Sequence, residues 1–99
     1  MIQILWEYEV KPGKEVAFET HYTSLGTWSQ LFQKAHGYRG TVLLRDAKRP
    51  ARYVSVDIWS DREAYDTFRR EFADEYEKID ALCAGLTDSE REIGIFEVQ

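Results

Sequence analysis

The chain has 99 residues, 43% of them hydrophobic and 14% aromatic, and a formal net charge of −5 at pH 7. That length makes one domain, residues 1–99, with apolar material for a core and for an interface. The acidic balance and the lack of a basic stripe argue against nucleic acid, no run is apolar for long enough to cross a bilayer, and the single Cys83 offers neither an intramolecular disulfide nor a metal cluster.

Residues 2–10 alternate, with Ile2, Ile4, Trp6, Tyr8 and Val10 on one face, as a strand requires. The same stretch has no basic leader region and no small-residue cleavage site, so the cytoplasm is the simplest compartment. Lys11-Pro12-Gly13 breaks the strand, and Pro12 suits the start of a helix. From Gly13 to Ala35 the spacing turns helical: Phe18, Tyr22 and Leu25 form a stripe that Trp28 and Phe32 extend. Gly26 interrupts it. Thr27 with Gln30 reads as a capping box, so a break near Ser24–Gly26 and a fresh helix at Thr27 are expected, with Gly37 as its C-cap.

Residues 38–46 and 52–59 read as two strands joined by a short charged turn. In the second, Val54, Val56 and Ile58 share one face. Tyr53, Ser55, Asp57 and Trp59 share the other, a mixed face suited to solvent, a wet cavity or a partner subunit. Ser60 with Glu63 forms another capping box, opening a helix that turns Tyr65, Phe68 and Phe72 inward. A further helix carries Tyr76, Ile79 and Leu82 or Cys83, Gly85 ends it, and residues 92–98 make a last strand. Cys83 itself reads as a small apolar residue near a helix end.

The resulting order, β-α-β-β-α-β, is the ferredoxin-like unit of the α+β class. Its two right-handed crossovers put both helical layers on one face of an antiparallel four-stranded sheet. An apolar opposite face needs a cover, and a second copy of the chain is the simplest one.

Three motifs then carry a likeness. They are W-E-Y-x-V-x-P-G-x-E-x-x-F from Trp6, W-x-x-L-F-x-x-x-x-G-Y-x-G-T-x-L-L-R-D from Trp28, and Tyr53-x-x-x-Asp57-x-Trp59 continued by Ser60 to Tyr65. Together they resemble the antibiotic biosynthesis monooxygenase family of dimeric α/β-barrel proteins. The resemblance implies a homodimer packed through its sheets, with a pocket in each subunit between sheet and helices. It also implies chemistry without a cofactor, in which a phenol, quinol or anthrone is ionised and its anion reacts with dioxygen. Two alternatives stand beside it: a non-catalytic or stress-related dimer that binds a small ligand, and a haem-degrading protein. Haem fits less well, because the chain has no histidine after His36 and no asparagine.

Within this reading His21 is the candidate proton acceptor, since an imidazole titrates near neutrality. Tyr22 and Arg45 are candidate polar anchors, and Arg39 falls on the same strand face as Arg45. Trp28, Phe32, Trp59, Tyr65 and Phe68 are candidate walls for a flat substrate. His36 suits the C-terminal end of a helix. Asp57 is the only charge inside its strand; it pairs with an arginine, or if buried alone it becomes a base with a raised pKa.

Overall fold

A computed structural model describes residues 1–99. Strand β1 (Ile2–Val10) leads into helices α1 (Glu15–Tyr22) and α2 (Thr27–Phe32). Strands β2 (Tyr38–Arg45) and β3 (Arg52–Trp59) follow, then α3 (Arg62–Glu71), α4 (Ala73–Cys83) and β4 (Thr87–Glu97). All pairings are antiparallel, in the spatial order β2-β3-β1-β4. This is the α+β, ferredoxin-like arrangement expected from the sequence.

The register settles which face of each strand meets the helices. Ile2, Ile4, Trp6 and Tyr8 stand opposite Trp59, Asp57, Ser55 and Tyr53. The mixed face of β3 therefore packs against the helical layer. Its two large rings explain the choice, for Tyr53 and Trp59 are both fully buried. The aliphatic face, with Val54, Val56 and Ile58, is left on the open side. There Val42 and Leu44 of β2 pair with Val56 and Val54, and Leu5 pairs with Val56 from β1. Val42, Leu44 and Phe96 are each about half exposed. One end of this open face is charged: Glu7 accepts from Arg52 and Arg91, and Arg52 also reaches Asp46.

Several local expectations are corrected. Asp61, not Ser60, caps α3, accepting from the Ala64 N–H at 2.8 Å. Ser60 is drawn into the strand end instead, donating its N–H to the Gly37 carbonyl. Helix α2 begins at Thr27 but has no capping box: Gly26 is the N-cap, and Gln30 turns back to the Leu25 carbonyl. Leu25 is exposed, because the stripe ends where α1 unwinds after Tyr22. Gly37 lies past the turn that follows α2. It takes φ +91°, and a Cβ there would come within 2.6 Å of Ala64 and Ser60. His36 belongs to that turn and not to a helix end. Strand β4 starts at Thr87, five residues before the expected position, so Glu90 is a strand residue paired with Tyr8.

One irregularity matters for the site. The β2–β3 ladder matches Tyr38 with Trp59 and Gly40 with Ile58, leaving Arg39 as an extra, bulged residue. Strict alternation puts Arg39 on the face of Thr41, Leu43 and Arg45. The bulge moves it out to the surface and brings Tyr38 onto that face instead.

Candidate functional site

Sheet and helices enclose a hollow of about 50 Å³. Six of its eleven lining residues are aromatic: Trp6 and Tyr8 from β1, Tyr22 from α1, Trp28 and Phe32 from α2, and Tyr76 from α4. Tyr76 and Asp80 sit four apart on α4, so they share the face that overhangs the sheet. The polar lining comes from Thr41, Ser55, Asp57, Asp80 and Glu90. An outer hollow of about 310 Å³ shares Tyr22, Asp80 and Glu90 with the inner one and adds Cys83 and Asp88.

Asp57 is the chemical centre of this hollow. It forms none of the ion pairs in the structure. Its one hydrogen bond comes from Thr41 Oγ1, 2.7 Å from Oδ1. The residue keeps some exposure, but its carboxyl is closely surrounded by protein, and loss of solvation pushes the pKa up to about 6. The Thr41 bond opposes that shift without cancelling it.

Thr41 is the inner end of a chain of hydroxyls. Tyr38 OH lies 2.6 Å from Thr41 Oγ1 and 3.2 Å from Ser29 Oγ, and Ser29 Oγ is 3.1 Å from the Thr23 carbonyl. Each hydroxyl owns one proton, so the direction of the chain follows the state of Asp57. With Asp57 ionised, Thr41 donates to it and Tyr38 must donate to Thr41. Ser29 then has one proton for two acceptors, Tyr38 and the Thr23 carbonyl. With Asp57 protonated, the carboxyl donates to Thr41 and every hydroxyl passes its proton outward, filling each acceptor as far as Thr23. The protonated form thus satisfies one contact more.

Other hydroxyls on the wall stay protonated. Burial raises the pKa of Tyr8, Tyr22 and Tyr76, so all three are donors at ordinary pH. Tyr8 OH lies 3.2 Å from Ser55 Oγ. Trp28 is buried, and its Nε1–H makes no hydrogen bond of good geometry, only weak contacts toward the Tyr22 hydroxyl and the Cys83 thiol. Burial and the neighbouring Asp80 raise the pKa of Glu90.

Of the residues singled out in the sequence, the hollow brings together Tyr22, Trp28, Phe32 and Asp57. The others lie elsewhere. His21 is not on the wall; its Nδ1 is 2.7 Å from Thr27 Oγ1, a bond that bridges the break between α1 and α2. Arg45 is partly exposed, donates to the Pro50 carbonyl and stacks over Tyr53. Trp59 and Phe68 belong to the packed core beneath α3. Tyr65 packs edge-on against Trp59 and accepts from Arg69. Neither histidine lines the hollow, so it offers no imidazole to a haem iron. Asp57 was visible as the one charge in the interior of its strand. Tyr8, Ser55, Tyr76, Asp80 and Glu90 gave no signal, because four separate elements bring them together.

No helix is long and apolar enough to cross a membrane. A search of curated protein sequences finds no match. Among solved structures, a candidate antibiotic biosynthesis monooxygenase from Bordetella bronchiseptica is 23% identical, covering 99% of this chain and 96% of the other at a TM-score of 0.79. A variant of SnoaB, a cofactor-independent oxygenase from Streptomyces nogalater, is 20% identical, covering 99% and 92% at 0.78. A conserved protein from Methanosarcina mazei is 18% identical, with the same coverage, at 0.74. These likenesses establish the shared fold. The sequence pattern of one family, antibiotic biosynthesis monooxygenase, matches residues 1–81, and with that match over most of its length the chain belongs to that family.

Proposed function

We propose that the protein is a cofactor-independent monooxygenase of electron-rich aromatics, of the phenol, quinol or anthrone type, working as a homodimer. The observation that carries this reading is Asp57, a carboxylate without a cation, poised near neutrality in an aromatic-walled hollow. Its role is to take the proton from the substrate's hydroxyl or acidic C–H. The weakly bonded N–H of Trp28 and the Tyr22 hydroxyl suit the oxygen of the resulting anion. The anion then reduces dioxygen directly. For an anthrone-type CH₂ the balance closes without a further reductant: the carbon loses two hydrogens, one oxygen atom becomes its carbonyl, and the other leaves as water.

The free space is too small for a polycycle, so a substrate enters by displacing α4, whose only buried residue is Cys83. The same tightness favours a second reading, a binder of small ligands without turnover. The aliphatic open face of the sheet supports the homodimer, since a second copy would cover it.

Oxygen uptake with an anthrone or a hydroquinone tests the proposal. Wild type should consume dioxygen, and Asp57→Asn should lose about a hundredfold or more of the rate while still quenching tryptophan fluorescence on ligand binding. No uptake by wild type, or full activity in the variant, would refute it.

A further inference from the structure

The charge around the hollow is one-sided. Its wall holds three carboxylates, Asp57, Asp80 and Glu90, and no lysine, arginine or histidine. The outer hollow repeats the pattern: Asp80, Glu90 and now Asp88, again with no basic residue. None of these four carboxylates takes part in an ion pair. Asp80 and Glu90 repel one another, and that repulsion adds to the effect of burial on Glu90. A cation between them would relieve it.

The rings point the same way. Indole and phenol faces attract cations through their quadrupoles. Tyr76 already does so, for the Arg69 guanidinium lies 3.9 Å from its ring centroid. Arg69 donates to Tyr65 OH and is not part of the cavity wall. An anionic ligand would meet only carboxylates among the charged lining residues, the nearest cation being Arg69, which acts on Asp80 from behind Tyr76. Asp80, Asp88 and Glu90 are exposed, so a neutral ligand would leave them to solvent and gain nothing from their charge. The buried N–H of Trp28, held only weakly by Tyr22 and Cys83, has room for a better acceptor, an oxygen on the ligand.

We infer that the site selects an aromatic hydroxyl compound carrying a positively charged nitrogen, its ring among Tyr22, Trp28 and Tyr76 and its ammonium between Asp80 and Glu90. The ring and hydroxyl take the place assigned above to the substrate, so the inference deepens that reading; binding alone tests it. The inner hollow receives the ring as α4 moves, and the outer hollow of about 310 Å³ receives the charged end. The chain's net charge of −5 favours the approach of such a cation.

Three probes of one shape separate the outcomes: tyramine is cationic, 4-ethylphenol neutral and 4-hydroxyphenylacetate anionic at pH 7.

Binding is followed by tryptophan fluorescence and calorimetry. Tyramine should bind at least about fivefold more tightly than 4-ethylphenol, with 4-hydroxyphenylacetate weakest. The lead should shrink with added salt and vanish when Asp80→Asn and Glu90→Gln are combined. Equal binding of tyramine and 4-ethylphenol, a lead that survives the double substitution, or no binding of any probe would overturn the inference. Oxygen uptake is measured separately: tight tyramine binding without uptake would refute the oxygenase reading and leave this one standing.

Discussion

Thr41 and Asp57 are direct partners across the β2–β3 ladder, and the Thr41 hydroxyl gives the buried carboxyl its single hydrogen bond, at 2.7 Å. The bond from Thr41 to the charged carboxylate is stronger than the one the protonated carboxyl returns to Thr41, so losing it costs the ionised form more. Thr41→Val keeps the β-branched shape of the strand position. The acid limb of kcat/KM, set in wild type by a group with a pKa of about 6, should move up by about one pH unit in the variant. Tyr38→Phe takes two contacts from the protonated chain and one from the ionised chain, so it should move the limb by less and in the opposite direction. Rates at pH 8 should nearly coincide. An unmoved acid limb would remove Asp57 from the role of base.

The same carboxyl makes stability depend on pH. Its pKa is raised in the folded chain from 3.8 to about 6, so between these values the native state holds the proton more tightly than the unfolded one. Its contribution is full below about pH 4 and is lost as the pH rises through 6. Asp57→Asn has no such group. Relative to wild type, the variant should gain at most about 3 kcal/mol between pH 4 and pH 7.5, read by urea unfolding at both. A constant difference across that range would mean that the carboxyl is solvated.

The open sheet face predicts an association. Val42 is half exposed and stands beside Val56 at the middle of the aliphatic band. A carboxylate placed there costs little in a lone subunit and much in a covered face. Val42→Asp should weaken dimerisation by about a hundredfold or more in sedimentation equilibrium, with the far-ultraviolet dichroism of a folded chain retained. A wild-type monomer at micromolar concentration would refute the dimer.

Much of the frame was legible in the sequence. Alternation located β1, β2 and β3, and the switch to helical spacing located the helices, because each signal lies within a few neighbouring residues. Which face of β3 turned inward was not legible. The more aliphatic side, Val54, Val56 and Ile58, stayed out, and the side with the larger rings went in. His21 looked chemical for its ring alone, yet Thr27 holds that ring at a helix break. Asp57 could be noticed but not interpreted. Its meaning depends on Thr41, sixteen positions away, and on Tyr76 and Asp80 from an element much later in the chain. Caps were misplaced by a single residue for a related reason: Ser60 and Asp61 are both able caps, and the strand claimed Ser60 first.

The extra residue at Arg39 has a wider consequence. In an unbroken ladder a guanidinium would stand opposite Trp59, where the Tyr38 phenol now stands. Which of the two stands over the packed core is thus decided by backbone count and not by side-chain identity. Point substitutions at Arg39 leave that decision untouched. Loss of Tyr38 would put the Arg39 guanidinium over Trp59 and break the hydroxyl chain to Thr41, so this segment tolerates a change of residue at Arg39 better than a change of length.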